Sequence, residues 1–320
     1  RAMDLGDFCR RAHVVIVVGK GGVGKTVVTA TFAEVARRQG LDVGLIVLEE
    51  SEGPGKLFDS SGSLTYDEVA LVGKDGGAGR IRGRLLTSDL ALLDYLSTHG
   101  LNRLTQRLRS SGALEVVATA VPGLPSVLVL GKIRQLEQAR EYDLIVVDAP
   151  ATGHALSFLE SAGGLADAAR SGPLHAQAAW VAEMLTDPAR CEVIVVTLPE
   201  ELPVNEAVET AFALEDRLGV ALGPVVINAC YPTLYGLDEE PAAAASRAGI
   251  PAPEPELAER MQRAAGFRLA RQRTQREEIA RLSEGLPLAH LELPFLFDGV
   301  RGPDQLALLA DAFGREVASL

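Results

Sequence analysis

Cysteine is scarce in this chain of 320 residues, which contains only three. Cys9, Cys191 and Cys230 lie far apart in the sequence, so they predict neither a disulfide framework nor a C-x-x-C metal pair. Sparse cysteine of this kind is typical of a reducing compartment. Aromatic residues are also few, at 5%, which disfavours an aromatic-rich β-sandwich. We therefore expect a cytoplasmic α/β protein.

An excess of positive charge is absent too. Lys and Arg number 31 against 43 Asp and Glu, which gives a formal net charge of −12. Sequence-independent binding of nucleic acid needs clustered Lys and Arg, so we expect no nucleic-acid partner. The longest uncharged stretch, 116–131, is interrupted by Pro122 and Pro125 and is too short to cross a bilayer. We expect neither a signal peptide nor stable membrane insertion.

Short apolar runs rich in β-branched residues recur along the chain. Their nearly continuous apolar character is typical of parallel strands that are covered on both faces. Helical patterns separate them, which predicts an α/β fold with a doubly wound, mostly parallel sheet. Segment 66–82 is a candidate for additional edge strands. The runs lie at 13–19, 43–48, 143–148, 193–198, 223–228 and 288–293.

We predict a single domain over residues 1–320. Helix-rich insertions at about 86–141 and 155–190 are expected to form a helical subdomain beside the sheet. Segment 236–255, rich in Ala, Pro and Glu, is interpreted as a surface connection. Segment 256–282 is predicted to be a long charged helix, and its many arginines are interpreted as a solvated face.

The sequence GKGGVGKT at 19–26 fits the pattern G-x-x-x-x-G-K-[ST]. It follows an apolar run and opens a helical pattern, where glycines let backbone N–H groups surround phosphates. The positive end of the helix dipole adds to this attraction. Lys25 is expected to reach the β- and γ-phosphates, and Thr26 to ligate Mg²⁺. The predicted nucleotide-binding residues are Gly21, Gly22, Val23, Gly24, Lys25 and Thr26.

Two further residues near this loop are candidates for the same chemistry. Lys20 is poorly placed to fold back onto phosphates held by its own loop, but it would reach a nucleotide on another subunit and stabilise transition-state charge there. The alternative is a solvated loop lysine. Asp148 ends an apolar run, where a carboxylate would hold magnesium-bound waters. The alternative is an aspartate that only caps the next helix.

Hydrolysis also needs a group that orients the attacking water. Three glutamates follow the apolar run at 43–48, in the sequence EESEG. We favour Glu50 for this role and Glu52 next, while the alternative that none of the three is catalytic stays open.

These residues resemble a known family. GKGGVGKT with its inner Lys20 is similar to the deviant Walker A motif of dimeric ATPases, and DAPATGH at 148–154 resembles the second switch of the ArsA/GET group. That group comprises arsenite-pump ATPases and the ATPases for guided entry of tail-anchored membrane proteins. PFLFDGVRG at 294–302 is similar to the group's P-L-L-x-x-E-V-R-G segment. Within the group, the chain looks most like an actinobacterial ArsA-like branch.

The resemblance implies a P-loop ATPase of the SIMIBI type with ATP and Mg²⁺ as its cofactors. It also implies that two copies, or this chain and a paralogue, enclose two ATP molecules. Closure on ATP would bring the helical subdomains together into a surface for a hydrophobic protein client. By position in the family's motifs, Lys20 would act in trans, Asp148 would support Mg²⁺, and Asn228 and Pro294 would flank the adenine.

The sequence also departs from the family's pattern. The group's first switch is D-P-A-H, whereas ungapped counting places Glu50 at the aspartate, which opens the alternative of a weakly hydrolytic ATP-binding subunit in a paralogue heterodimer. The C-x-x-C pair that binds zinc in the eukaryotic targeting factor is missing. An arsenite-pump-type ATPase is a further alternative, but the cysteines here are not clustered as arsenite binding requires.

Overall fold

The computed structural model describes residues 3–49, 53–60, 63–74, 76–101, 105–106, 122–168 and 171–320. Nine strands in these ranges form one sheet. They are β1 (Val14–Gly19), β2 (Val43–Val47), β3 (Val69–Val72), β4 (Ile81–Leu85), β5 (Leu144–Asp148), β6 (Cys191–Thr197), β7 (Ala221–Leu222), β8 (Val225–Cys230) and β9 (His290–Pro294).

Eleven helices lie within the same ranges. They are α1 (Leu5–Cys9), α2 (Lys25–Arg38), α3 (Gly53–Leu57), α4 (Ser88–Thr98), α5 (Leu124–Gln138), α6 (Thr152–Ala168), α7 (Pro173–Thr186), α8 (Glu201–Leu218), α9 (Pro241–Ala248), α10 (Pro255–Gly285) and α11 (Pro303–Ser319).

The strand order is β3-β4-β2-β5-β1-β6-β8-β9, and β7 pairs with β6. All pairs are parallel except β3 with β4. β3 is an edge strand within segment 66–82, as predicted, whereas β4 begins in that segment, runs beyond it and lies one place inside the edge. The central strands β1, β2 and β5 are buried along their whole length, as their continuous apolar sequences require. The predicted doubly wound, mostly parallel α/β fold is confirmed.

Helices cover both faces of the sheet. On one face α2 packs against α11, and the rings of Phe8, Phe32 and Phe313 meet with centroids 5.6 to 5.9 Å apart. On the other face α5 packs against α6 and α7, and α8 lies on β6. Each face therefore has its own hydrophobic core, and the sheet between them is held rigid from both sides.

The helical region before and after β5 is partly described. α4 packs on α5, and α6 packs on α7, so the four helices form a layer beside the sheet. The apolar stretch 116–131 is described from residue 122 onwards, where Val127 and Leu130 are buried in the core. Residues 107–121, which the sequence analysis also predicted to be helical, lie outside the described ranges, and the subdomain boundaries stay a prediction.

Of two segments toward the C-terminus, one differs from the sequence prediction and the other confirms it. The expected surface connection at 236–255 contains helix α9, which begins at Pro241 and is capped by Gly249 at φ 69°. Its run of alanines has high helix propensity, and proline at the start with glycine past the end is the usual arrangement. α10 confirms the long charged helix predicted at 256–282: most of its arginines are exposed, and it buries Gln272, Gln275 and Leu282 on one side. In the described ranges, no helix combines the length and apolar character needed to cross a bilayer.

Candidate functional site

The loop between β1 and α2 depends on glycines. Gly22 and Gly24 both have φ near +88°, a region that residues with a Cβ rarely adopt. A Cβ at Gly24 would also collide with the side-chain amide of Asn228. Among the described residues no side chain caps α2, so the N–H groups of its first turn face outward with the positive end of the helix dipole. This arrangement is suited to an anion such as a phosphate.

The Lys25 side chain folds over this loop. Its Nζ donates to the carbonyl oxygen of Lys20 at 3.4 Å, so the ammonium lies across the opening that the glycines form. A bound phosphate would compete with that carbonyl for the same donor and would offer a stronger, charge-assisted hydrogen bond.

Thr26 and Asp148 meet at the mouth of the loop. The Thr26 hydroxyl donates to Asp148 Oδ2 at 2.6 Å, and Asp148 is only 8% exposed. In the described part of the chain, Asp148 Oδ1 is buried without a hydrogen-bond partner. A buried, unpaired carboxylate oxygen beside a threonine hydroxyl fits the oxygen ligands and bound waters that Mg²⁺ prefers.

The charge state of Asp148 follows from its surroundings. Burial raises the pKa of this carboxyl above its usual range, and the hydrogen bond from Thr26 and the charge of Lys25 reduce the rise without cancelling it. Glu49, exposed just after β2, adds to the rise. A cation at this site would therefore stabilise the ionised carboxylate that burial disfavours.

Lys20 points away from Lys25. Its Nζ lies 2.7 Å from Glu206 Oε1 on α8. Both side chains face a cavity of about 470 Å³ between the loop, the start of α6 and α8. Lys25 does not line this cavity, so the two lysine side chains leave the loop in different directions, and the Lys25 ammonium contacts the loop's own backbone.

Asn228 supports the loop from the side. Its Nδ2 donates to the carbonyl oxygen of Val23 at 2.9 Å. The chain beyond Asn228 is held by Gln275 of α10, which accepts from the N–H of Tyr231 at 2.8 Å and donates to the carbonyl of Ala229 at 3.2 Å. The sequence analysis missed Gln275, and an uncharged glutamine within a highly charged helix is the only signal that would have indicated it.

Pro294 lies at the same end of the sheet as Asn228. β9 is parallel to β8, with Pro294 opposite Cys230. Just beyond them, the rings of Tyr231, Phe295 and Phe297 form a cluster with centroids 5.0 to 5.9 Å apart. The Arg268 guanidinium lies 4.0 Å from the centre of the Tyr231 ring, so a partly exposed aromatic cluster, with its rings inclined to one another, borders this end of the loop.

Glu50 and Glu52, the candidates for positioning the water, lie outside the described residues. Their role stays a prediction.

A glycine loop that opens a helix beside a strand-end aspartate, on a doubly wound sheet, defines the class of P-loop nucleoside-triphosphate hydrolases. Comparison with known proteins narrows the class. Residues 94–168 match the family described as anion-transporting ATPase. Over 308 residues the chain is 32% identical to ATPase BagA of Mycobacterium tuberculosis. The aligned stretch covers 89% of this chain and 88% of that protein.

Two further relatives are arsenical pump-driving ATPases, from Escherichia coli and from Acidiphilium multivorum. Each is 28% identical over 224 residues, which is 69% of this chain and 36% of the relative. The chain belongs to the ArsA-type, anion-transporting ATPase family, and it is an ATP hydrolase. The resemblance of the sequence to ArsA-like ATPases, including those of an actinobacterial branch, is confirmed.

The contact between Asn228 and Val23 gives a prediction for nucleotide affinity. Asn228→Ala removes a hydrogen bond to the loop, and such bonds contribute about 0.5–1.5 kcal/mol net. Because the loop then has more conformations to lose on binding, we expect the Kd for ATP to rise by about 2- to 12-fold. Isothermal titration calorimetry measures the Kd for ATP. Asn205→Ala, at an exposed position on α8, is the matched control, and equal affinities for the two variants would contradict the prediction.

Proposed function

We propose that this chain works as a dimeric, Mg²⁺-dependent ATPase whose nucleotide state opens and closes a helical surface toward a hydrophobic protein segment. The observation that carries this proposal is the divergence of the loop's two lysines. The Lys25 ammonium contacts the loop's own backbone. The Lys20 side chain takes a different direction, and its Nζ lies 2.7 Å from Glu206 Oε1. A lysine that pairs with a partly exposed carboxylate and not with its own loop would reach a site on a second subunit once that ion pair opens.

In this proposal the loop residues Gly21–Thr26 hold the phosphates of ATP. The N–H groups around Gly22, Val23 and Gly24 surround the phosphate oxygens, and Lys25 neutralises their charge as the leaving phosphate forms. These groups are already placed by the fold, so little reorganisation is needed when charge develops in the transition state.

Thr26 and Asp148 would hold Mg²⁺, Thr26 through its hydroxyl and Asp148 through bound water. Mg²⁺, when bound, neutralises charge on the phosphate oxygens. The Thr26 hydrogen bond and the Lys25 charge oppose the rise in the Asp148 pKa that burial causes, and bound Mg²⁺ would stabilise the ionised carboxylate further. We retain Glu50, and after it Glu52, as the residues proposed to orient the attacking water.

The adenine is proposed to lie between Asn228 and Pro294. The aromatic surface beside them supports this placement, since a purine ring stacks well on aromatic rings. The proposed partner is a second copy of this chain or a paralogue, with Lys20 acting across the interface.

The client surface is proposed to lie on the helical layer α4–α7. Trp180 on α7 is 48% exposed, and the Arg134 guanidinium lies 5.0 Å from its ring centre. An exposed tryptophan flanked by arginine is typical of protein contact surfaces. The arsenical pump-driving relatives raise arsenite as an alternative stimulus, but Cys9, Cys191 and Cys230 are all buried. Burial raises the pKa of Cys9 and of Cys191 to about 12, which disfavours the thiolates that soft metal ions need.

Steady-state turnover tests the role of the loop. Lys25→Ala should lower kcat/KM for ATP by about 10²- to 10³-fold, the usual cost of removing one charge-stabilising donor. Lys74→Ala, an exposed lysine on a distant loop, should match the wild type. If the wild type turns over no faster than Lys25→Ala while still binding ATP, the weakly hydrolytic subunit is the better account. Strong stimulation by arsenite or antimonite would favour the pump-type alternative.

Light scattering during size-exclusion chromatography tests the dimer. With Mg²⁺ and a non-hydrolysable ATP analogue, the measured mass should rise from that of one chain to that of two, because each nucleotide is completed by the facing Lys20. Lys20→Ala should reduce the dimer fraction at the same concentrations. A wild-type chain that stays monomeric alone and in the presence of a paralogue would contradict the proposal.

A further inference from the structure

We propose that Glu206 restrains Lys20 on its own subunit, and that release of this ion pair sets how readily Lys20 engages a second copy. This inference rests on the proposed dimer and adds a positioning residue to it. Glu206 lies 186 positions after Lys20 in the sequence, and no motif in the sequence indicates it.

The anchor of the ion pair is rigid. Glu206 lies within α8, and its backbone carbonyl accepts a hydrogen bond from the Thr210 hydroxyl at 2.6 Å. α8 packs on β6 and on α6, so the backbone that carries Glu206 is fixed relative to the sheet. Lys20 lies instead on the loop that binds phosphate. The 2.7 Å contact therefore joins a fixed element to the candidate catalytic loop.

Glu206 is the one carboxylate that pairs with Lys20 among the described residues. Glu209 and Arg217 line the same cavity, but no hydrogen bond or ion pair joins either of them to Lys20. Lys20 and Glu206 have similar side-chain exposure, 34% and 33%, so the ammonium is open to solvent on its remaining side. It can leave Glu206 without crossing a buried region.

The cavity also connects the ion pair to the nucleotide site. Ala151 and Gly153, in the segment that follows Asp148, form part of its wall. A change in this segment on phosphate binding would alter the surroundings of Lys20 directly. The Lys20 ammonium cannot keep its present contact with Glu206 while it contacts a phosphate on another subunit. The two contacts therefore compete for Lys20.

The strength of the ion pair between Lys20 and Glu206 limits how far it can shift the balance between monomer and dimer. A partly exposed ion pair typically shifts an equilibrium by no more than about 5-fold. Glu206 therefore tunes the balance between monomer and dimer, and nucleotide binding overcomes it. We expect that removing the carboxylate favours the dimer.

The restraint of Lys20 by Glu206 is measured first, on protein without nucleotide. An amine-reactive ester is added to the purified protein, and the rate of modification of Lys20 is followed by peptide mass spectrometry. Glu206→Gln should raise that rate by about 2- to 5-fold. Glu209→Gln makes the same change of charge on the same helix and in the same cavity without contacting Lys20, so it should match the wild type. Equal rates for both variants would overturn the restraint.

The consequence is measured by light scattering with Mg²⁺ and the non-hydrolysable ATP analogue. Glu206→Gln should lower the protein concentration for half-maximal dimer by about 2- to 5-fold, and Glu206→Asp should lie between it and the wild type. A weaker dimer for Glu206→Gln overturns the inference, because it means that Glu206 binds across the interface. A wild type that remains monomeric refutes the proposed dimer, while the modification rates still decide whether Glu206 holds Lys20.

Discussion

The contact between Thr26 and Asp148 is the constraint on which the candidate site depends. β1 and β5 are parallel neighbours in a register that places Val17 opposite Asp148, so the aspartate lies beside the loop that leaves β1. The loop turns into α2 and brings Thr26 to within 2.6 Å of that carboxylate. Shifting the register by one residue would turn Asp148 to the other face of the sheet. The pairing of two apolar strands thus fixes the distance between two polar groups.

Support for the loop comes from residues outside its own sequence. Gln275 of α10 holds the chain after β8, and Asn228 at the end of β8 holds the carbonyl of Val23. On the opposite side Glu206 of α8 holds Lys20. The contacts of Asn228 and Glu206 join a strand and a helix to the loop between β1 and α2, and Gln275 supports the strand that carries Asn228. A loop rich in glycine loses much conformational freedom when it is ordered, and these hydrogen bonds oppose that cost.

The sequence was sufficient to predict the sheet and the motifs whose residues are close together in the chain. Continuous apolar runs such as the one ending at Gly19 predict buried parallel strands, and the spacing of Gly24, Lys25 and Thr26 predicts a phosphate loop. The sequence does not predict contacts whose two partners are far apart in the chain. Nothing in α8 distinguishes Glu206 from its neighbour Glu209, because only the packing of α8 on β6 and α6 decides which carboxylate meets Lys20.

Electron paramagnetic resonance of Mn²⁺, used in place of Mg²⁺, tests the central claim most directly. With the non-hydrolysable ATP analogue present, the wild type should bind one Mn²⁺ per chain, and Asp148→Asn should bind it at least about tenfold more weakly, since neutralising a paired carboxylate costs on the order of 1.4 kcal/mol or more. Asp143→Asn, at the exposed start of the same segment, should bind it as the wild type does. Equal Mn²⁺ affinity for wild type and Asp148→Asn would show that the Thr26–Asp148 pair is not the metal site.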